Sequence, residues 1–305
     1  MRVLSLLPAG TEIVAALGGA AELVGVTHEC DWPPEVTALP RVTTSAVSPG
    51  ADPAAVDASV RQAAAAGTPL FALDHRRIAA LAPDVILTQA LCEVCAVSET
   101  DVRALVAGLT PPPEVVTLLG TTLDGVLDDI TRVAAALGRA SQGARLVADL
   151  RGRMRRVHDT LERARAPRPR VAVIEWTDPV YAAGHWAPEM VRRAGGEDVL
   201  ARPGEHSTAR TADAVREADP ELILFSPCGY AATRAAAEAR RTLARVGWEW
   251  ARGRRVWAVD ANGLVSRPGP RLVRGVEVMA AMIAPSLFAA PAADEAVCLT
   301  SRWRA

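Results

Sequence analysis

Apolar residues in the central stretch Thr122–Arg165 recur at steps of three and four, the period of a helix buried along one face. Leu123, Val126, Leu127, Ile130, Val133, Ala134 and Leu137 form a first stripe. Gly138 breaks it, and Ser141 is placed to cap a second helix. The second stripe is narrower, comprising Leu146, Leu150, Met154, Val157 and Leu161, with five arginines between 151 and 163 mostly off it. Pro167 and Pro169 end the run. At 1.5 Å per residue, a helix over 141–165 spans about 37 Å, enough to run behind two lobes and fix their spacing.

Short apolar runs lie on both sides of this stretch. Val3–Leu7, Leu23–Val26, Leu70–Leu73, Asp84–Gln89 and Val115–Leu119 read as strands before it. Arg170–Trp176, Leu222–Phe225 and Val256–Asp260 read as strands after it. Helical patterns alternate with them: Thr11–Leu17 with Thr11 as N-cap, Ala54–Ala66, Arg76–Ala82, Ala187–Ala194, Thr211–Ala218, Ala231–Arg245, and a last helix to Ile283. Residues 41–55 read as irregular, and the Ala-rich tail after Pro285 as loosely packed. Strands alternating with helices predict an α/β fold: two Rossmann-like lobes with mostly parallel sheets, joined by one long backbone helix. The expected bounds are an N-terminal lobe over 1–121, a helical connector over 122–168 and a C-terminal lobe over 169–305. Ligands bind such sheets beyond the carboxyl ends of the strands, where loops 28–34, 90–98, 177–186 and 226–230 fall.

A chain of 305 residues is longer than one core usually serves, which agrees with two lobes. Half the residues are apolar and the formal net charge is −1 with scattered basic residues, so nothing points to nucleic acid. Every basic side chain apart from histidine is Arg, which removes a Schiff-base lysine from consideration. Seven of the twelve aromatic residues are Trp, the largest flat apolar surface a ligand can meet. No apolar stretch reaches the roughly 18 residues of a membrane span. The first residues enter a strand without the features of a secretory signal, so a cytoplasmic location is expected. P-loop, dinucleotide-fingerprint and nucleophile-elbow motifs are missing from the sequence, and whether the chain catalyses a reaction stays open.

The five cysteines are an odd number in a large chain, which favours thiol or metal chemistry over structural disulfides. Cys92 and Cys95 form a CxxC on a loop after a buried strand, a spacing that grips one metal ion or cycles as a dithiol. The alternative is two small buried residues. His28, Cys30 and Cys228 lie on loops expected at the same face, and the five together suit Zn or an iron–sulfur cluster. His185 and Trp186 could ligate or stack on a flat macrocycle, or Trp186 could simply pack; Trp32 is read the same way. Arg267 and Arg271 flank Pro268-Gly269-Pro270 before a helix start, a place for an anionic group or for a plain turn.

The segments LLPAGTEIVAALGGAAELVGVTHECDWPPE, APDVILTQ, GHWAPEMVRRAGGEDVL and VDANGLVSRPGPRLVRGVEVM, with the long central helix, resemble class III substrate-binding proteins of ABC transporters. The likeness is to their vitamin B12-binding branch and extends over about residues 1–285. It implies a small-molecule ligand, a corrinoid such as cobalamin, haem or another metal chelate, held between two lobes by aromatic side chains. The positions that inherit cleft roles are the 28–32 and 90–95 loops, Trp176, His185, Trp186, Arg267 and Arg271. By the same resemblance, Glu189 is the acid that docks on an ABC permease. The alternative is a Cys/His metalloprotein, either an enzyme on sulfur- or metal-containing small molecules or a metallochaperone.

Overall fold

In the first part of the chain, buried β-branched and Leu runs build the sheet. The computed structural model describes residues 1–47, 50–90, 97 and 99–300. Its elements begin with β1 (Val3–Ser5), α1 (Pro8–Ala16), β2 (Leu23–Gly25), β3 (Thr43–Ser45), α2 (Pro53–Ala66), β4 (Phe71–Leu73) and α3 (His75–Leu81). Then come β5 (Val85–Gln89), α4 (Glu99–Ala107), β6 (Glu114–Leu118), α5 (Leu123–Ala136) and α6 (Ala140–Ala164). The strands order as β2-β1-β5-β6, every neighbouring pair parallel. Because both faces of such a sheet are covered, β1 is buried throughout and β5 nearly so. Leu4, Ile78 and Ile86 form part of the core beneath it.

The sequence reading needs three adjustments here. α1 starts at Pro8, so Thr11 lies inside the helix, fully buried, and does not cap it. Proline suits the first helical turn because the amide hydrogen it lacks has no intrahelical acceptor there. The 41–55 region, expected irregular, contains β3, which pairs antiparallel with β4. α6 starts one residue before Ser141, whose hydroxyl donates to Gln142 rather than capping the helix.

α5 and α6 bear out the central stripe. Leu123, Val126, Leu127, Ile130, Val133 and Ala134 are buried on α5; Leu150, Met154, Val157 and Leu161 are buried on α6. Val147 of α6 is buried, whereas its neighbour Leu146, assigned to the stripe, is only partly so. Two compact units result: one holds 1–120 and 124–149, the other 121–123 and 150–305. α6, 25 residues long, thus contributes to both.

The second unit adds β7 (Arg170–Thr177), β8 (Val180–Ala182), α7 (Ala187–Arg193), β9 (Glu197–Asp198), β10 (Thr208–Ala209), α8 (Ala212–Glu217) and β11 (Leu222–Phe225). It continues with α9 (Ala232–Leu243), β12 (Arg255–Val259), α10 (Ala261–Leu264), α11 (Leu272–Ile283) and β13 (Ala296–Cys298). The path is β10-β8-β7-β11-β12-β13, with β9 beside β7. β7, β11 and β12 are parallel, and β8, β10 and β13 are antiparallel additions. The 177–186 segment is therefore partly a hairpin. The tail, expected to pack loosely, closes the sheet: β13 pairs with β12, and Arg274 of α11 holds both carboxylate oxygens of Glu295 at 2.6 and 2.8 Å. Ile174, Ile223, Phe225 and Trp248 lie in the core, with Trp250 stacked on Trp248.

Candidate functional site

In the second unit the candidate side chains hang from the ends of β7, β8 and β11. β7 ends in Trp176-Thr177, and the loop after β11 delivers Cys228 and Tyr230. Trp176 and Tyr230 meet edge to face, with ring centres 5.8 Å apart. Arg234, one turn into α9, lies over the Tyr230 ring at 3.8 Å and donates to its hydroxyl. Burial raises the Tyr230 pKa against the pull of that guanidinium.

After β8 the chain turns sharply at Gly184-His185-Trp186. His185 has φ +54, an uncommon conformation for a residue with a side chain. Two backbone hydrogen bonds hold it there: its N–H donates to Glu205 at 2.6 Å, and its carbonyl accepts from Gly204 at 2.8 Å. A Cβ on Gly184 would lie 2.6 Å from the Glu205 carbonyl oxygen, so only glycine lets the two strands of chain approach this closely. The clamp sets His206 edge-on to His185, centres 5.0 Å apart, while the Trp186 ring is tilted against His185 at 5.6 Å. His185 Nε2 is buried and meets no hydrogen-bond partner among the described residues. Burial, and next the charge of His206, lower the His185 pKa, which keeps the ring neutral near pH 7.

The segment 261–267 joins these two groups. Asn262 N–H donates to the Tyr230 carbonyl, and the Trp186 indole N–H donates to the Val265 carbonyl at 2.6 Å. Arg267, nearly buried, donates to the Asn262 side chain at 2.8 Å. Arg271 stands just before α11 with Asp260 3.9 Å away. Trp176, His185, Trp186 and Arg267 thus belong to one connected network of contacts in the second unit. Tyr230, Arg234 and His206 join it, although the sequence reading did not single them out as site residues. The Tyr after the buried LILF strand was a usable signal; the pairing of His206 with His185 was not, because it depends on the Gly184 clamp.

The first unit holds a separate group. His28 Nδ1 lies 2.7 Å from the Thr43 hydroxyl, and Phe71 packs against the ring. Burial lowers its pKa, helped by Arg41 and opposed by Glu29. The Cys30 thiol is buried, 3.2 Å from the hydroxyls of both Thr11 and Thr27. Arg41 pins the loop by donating to the carbonyls of Thr27 and Cys30. Trp32 is 46% exposed.

Cys92 and Cys95 lie outside the described residues. Among those described, no three His, Cys, Asp or Glu side chains gather as a group able to hold a metal ion. The cysteine cluster expected for Zn or an iron–sulfur centre therefore finds no support. Cys30 is engaged by two threonines, Cys228 is exposed in the other unit, and Cys298 sits in β13. Glu189, expected as a docking acid, is 4% exposed. It accepts from the Leu123 N–H at 3.0 Å and pairs with Arg192 and Arg193. A carboxylate is favoured there because Leu123 opens α5 and its amide hydrogen has no acceptor within the helix. None of the described helices is long and apolar enough to cross a membrane.

Comparison with known proteins matches residues 3–246 to a family described as periplasmic binding protein. Curated proteins give no significant match. Solved structures do. A periplasmic heme binding protein from Pseudomonas aeruginosa aligns with a TM-score of 0.70 at 22% identity, covering 94% of this chain and 93% of its own. The periplasmic heme-binding protein BhuT, in complex with two hemes, aligns at 0.68 and 25% identity, covering 94% and 98%. The periplasmic vitamin B12 binding protein BtuF of Vibrio cholerae aligns at 0.64 and 21%, covering 93% and 97%. These likenesses agree with the two-unit α/β fold and its long helix. With four-fifths of its length matched to one family, the chain belongs to the periplasmic binding proteins.

Proposed function

We propose that this chain is the ligand-binding component of an ABC transport system, and that its ligand is a flat metal chelate of the tetrapyrrole or corrinoid class. The observation that carries the reading is the His185–Trp186 turn. An unusual backbone conformation, fixed by two hydrogen bonds and a glycine, presents a neutral imidazole between an indole and a second imidazole. Strain kept at one residue by its surroundings is characteristic of binding sites. A neutral imidazole is the form that ligates a metal. Its Nε2 is buried and meets no hydrogen-bond partner among the described residues, which costs about 1–3 kcal/mol. The Trp176–Tyr230 pair adds aromatic surface and Arg234 a positive charge, suited to the flat body and acidic edge of such a chelate. Solved relatives that bind heme or vitamin B12 across nearly the same length support this ligand class.

The test is optical titration of the purified chain with hemin and, separately, hydroxocobalamin. A shifted visible spectrum with one of them is the expected result, reduced at least tenfold in affinity in His185→Ala. Folded protein that changes neither spectrum, nor gives heat on calorimetric titration, would overturn the assignment.

A further inference from the structure

We propose, on the chelate reading given above, that Glu238 is a positioning residue: through Thr177 it sets how Trp176 stands against Tyr230. Arg234, Glu238, Arg241 and Arg245 follow one another at steps of four, three and four along α9 and the turn after it, so they share one face. Arg234 donates to the Tyr230 hydroxyl at 3.1 Å. Glu238 accepts from the Thr177 hydroxyl at 3.1 Å and from Arg241 at 2.5 Å. Arg245 donates to the Thr177 carbonyl at 3.0 Å and pairs with Asp178 at 3.2 Å. One helix face thus grips both Tyr230 and the two residues that follow Trp176.

Glu238 is 2% exposed, and the other buried positions of α9 are Ala232, Ala235, Ala236, Ala239 and Thr242. A helical ion pair with Arg241 forms equally well at the surface, so that pair does not account for burying the acid. Burial of a carboxylate is costly, and what this position adds is the bond to the fully buried Thr177. Trp176 needs such an anchor. The pairing of β7 with β8 slips between Ile174 and Trp176, and slips of this kind re-aim side chains. The ladder is therefore interrupted just before Trp176, and the chain after it is held by α9 instead. Trp176 is partly exposed whereas Tyr230 is buried, so the indole is the member of the pair that a ligand meets. Burial raises the Tyr230 pKa, Arg234 lowers it and Glu238 raises it, which places the Glu238 charge near both members of the pair.

Thr177→Val keeps the shape of that side chain and removes its donor. It is expected to weaken binding of hemin or hydroxocobalamin, whichever the parent chain takes up, about tenfold. In protein labelled with fluorotryptophan it should also move the fluorine resonance of Trp176, assigned by its loss in Trp176→Phe. Glu238→Leu should do both. Glu238→Gln retains an acceptor for Thr177 and should restore the parent's affinity and resonance. Arg274→Gln, which releases Glu295 elsewhere in the same unit, controls for lost stability and should change neither readout. An unmoved resonance in Thr177→Val and Glu238→Leu would overturn the role, as would equal losses in Arg274→Gln. A moved resonance with the parent's affinity would overturn it too, because Trp176 would then be held without consequence for the ligand. If the parent chain binds neither compound, the ligand class fails by itself, and the resonance still decides whether Glu238 positions Trp176.

Discussion

The indole N–H of Trp186 donates to the backbone carbonyl of Val265 at 2.6 Å, with both residues buried. This bond ties the turn that presents His185 to the segment carrying Asn262 and Arg267. Trp186→Phe keeps an aromatic ring but leaves the Val265 carbonyl unpaired away from water, at a cost of about 1–3 kcal/mol. A lower urea midpoint with an unchanged slope is the expected outcome. A midpoint equal to that of the parent would show that the carbonyl finds another donor.

The His185 imidazole is held neutral by burial and by His206, so its protonation opposes the folded arrangement. A depressed histidine pKa means the unfolded chain binds the proton first; stability therefore falls as pH drops below the ordinary value of 6.5 and is level above it. Ligation of a chelated metal by the folded chain should weaken at lower pH still, as pH falls through the depressed folded-state pKa, and be flat between about pH 7 and 8. His206→Ala removes the neighbouring charge and should move the acid midpoint upward, which NMR titration of the His185 ring resonance would register. An unmoved midpoint would leave burial as the whole cause.

Much of this architecture is legible in the chain before any coordinates. Leu123, Ile130, Leu150 and Leu161 repeat at a helical period because each faces a core, and the LILF strand is apolar throughout because both its faces are covered. What escapes are the short antiparallel pieces. Three residues such as Thr43–Ser45 or Ala296–Cys298 are too few to display a period, and their pairing is decided by what lies across the sheet. The site divides the same way. His185 and Trp186 stand out beside Gly184, yet His206 joins them only through backbone contacts twenty residues away. Nothing in the sequence shows that Glu189 is buried together with Ala187, Pro188, Met190 and Val191.

Asp198 offers a prediction outside the binding surface. One oxygen accepts from the N–H groups of Leu200 and Ala201, while the other is buried and meets no partner among the described residues. Burial raises its pKa to about 7 from 3.8, against those two hydrogen bonds. Between these values the folded chain holds a proton that the unfolded chain has released, so stability decreases as pH rises through that window. The full difference is on the order of 4 kcal/mol, reached above about pH 7. Asp198→Asn keeps an acceptor for the two amides and cannot ionise. It should unfold at higher temperature than the parent at pH 8 and show no advantage at pH 4. Parallel pH profiles for the two proteins would mean that the Asp198 pKa is the same in the folded and unfolded chain.

Gly184→Ala tests whether the clamp, rather than the histidine alone, makes the site. The added methyl carbon would lie 2.6 Å from the Glu205 carbonyl oxygen, far inside van der Waals contact, and backbone on both sides leaves little room to yield. Overpacking of this kind costs about 1–3 kcal/mol when the protein relaxes around it. Relaxation here means separating the 184–186 turn from the 204–207 segment, which breaks the bonds from His185 N–H to Glu205 and from Gly204 N–H to His185. His185 then loses both its unusual φ and its contact with His206, while β7, β11 and β12 are untouched. The expected variant has a parent-like far-ultraviolet spectrum, a modestly lower melting temperature, and haem or cobalamin affinity reduced as far as in His185→Ala. Retained affinity with a lowered melting temperature would place the chelate contact away from this turn and leave the Trp176–Tyr230 pair as the surface to examine next.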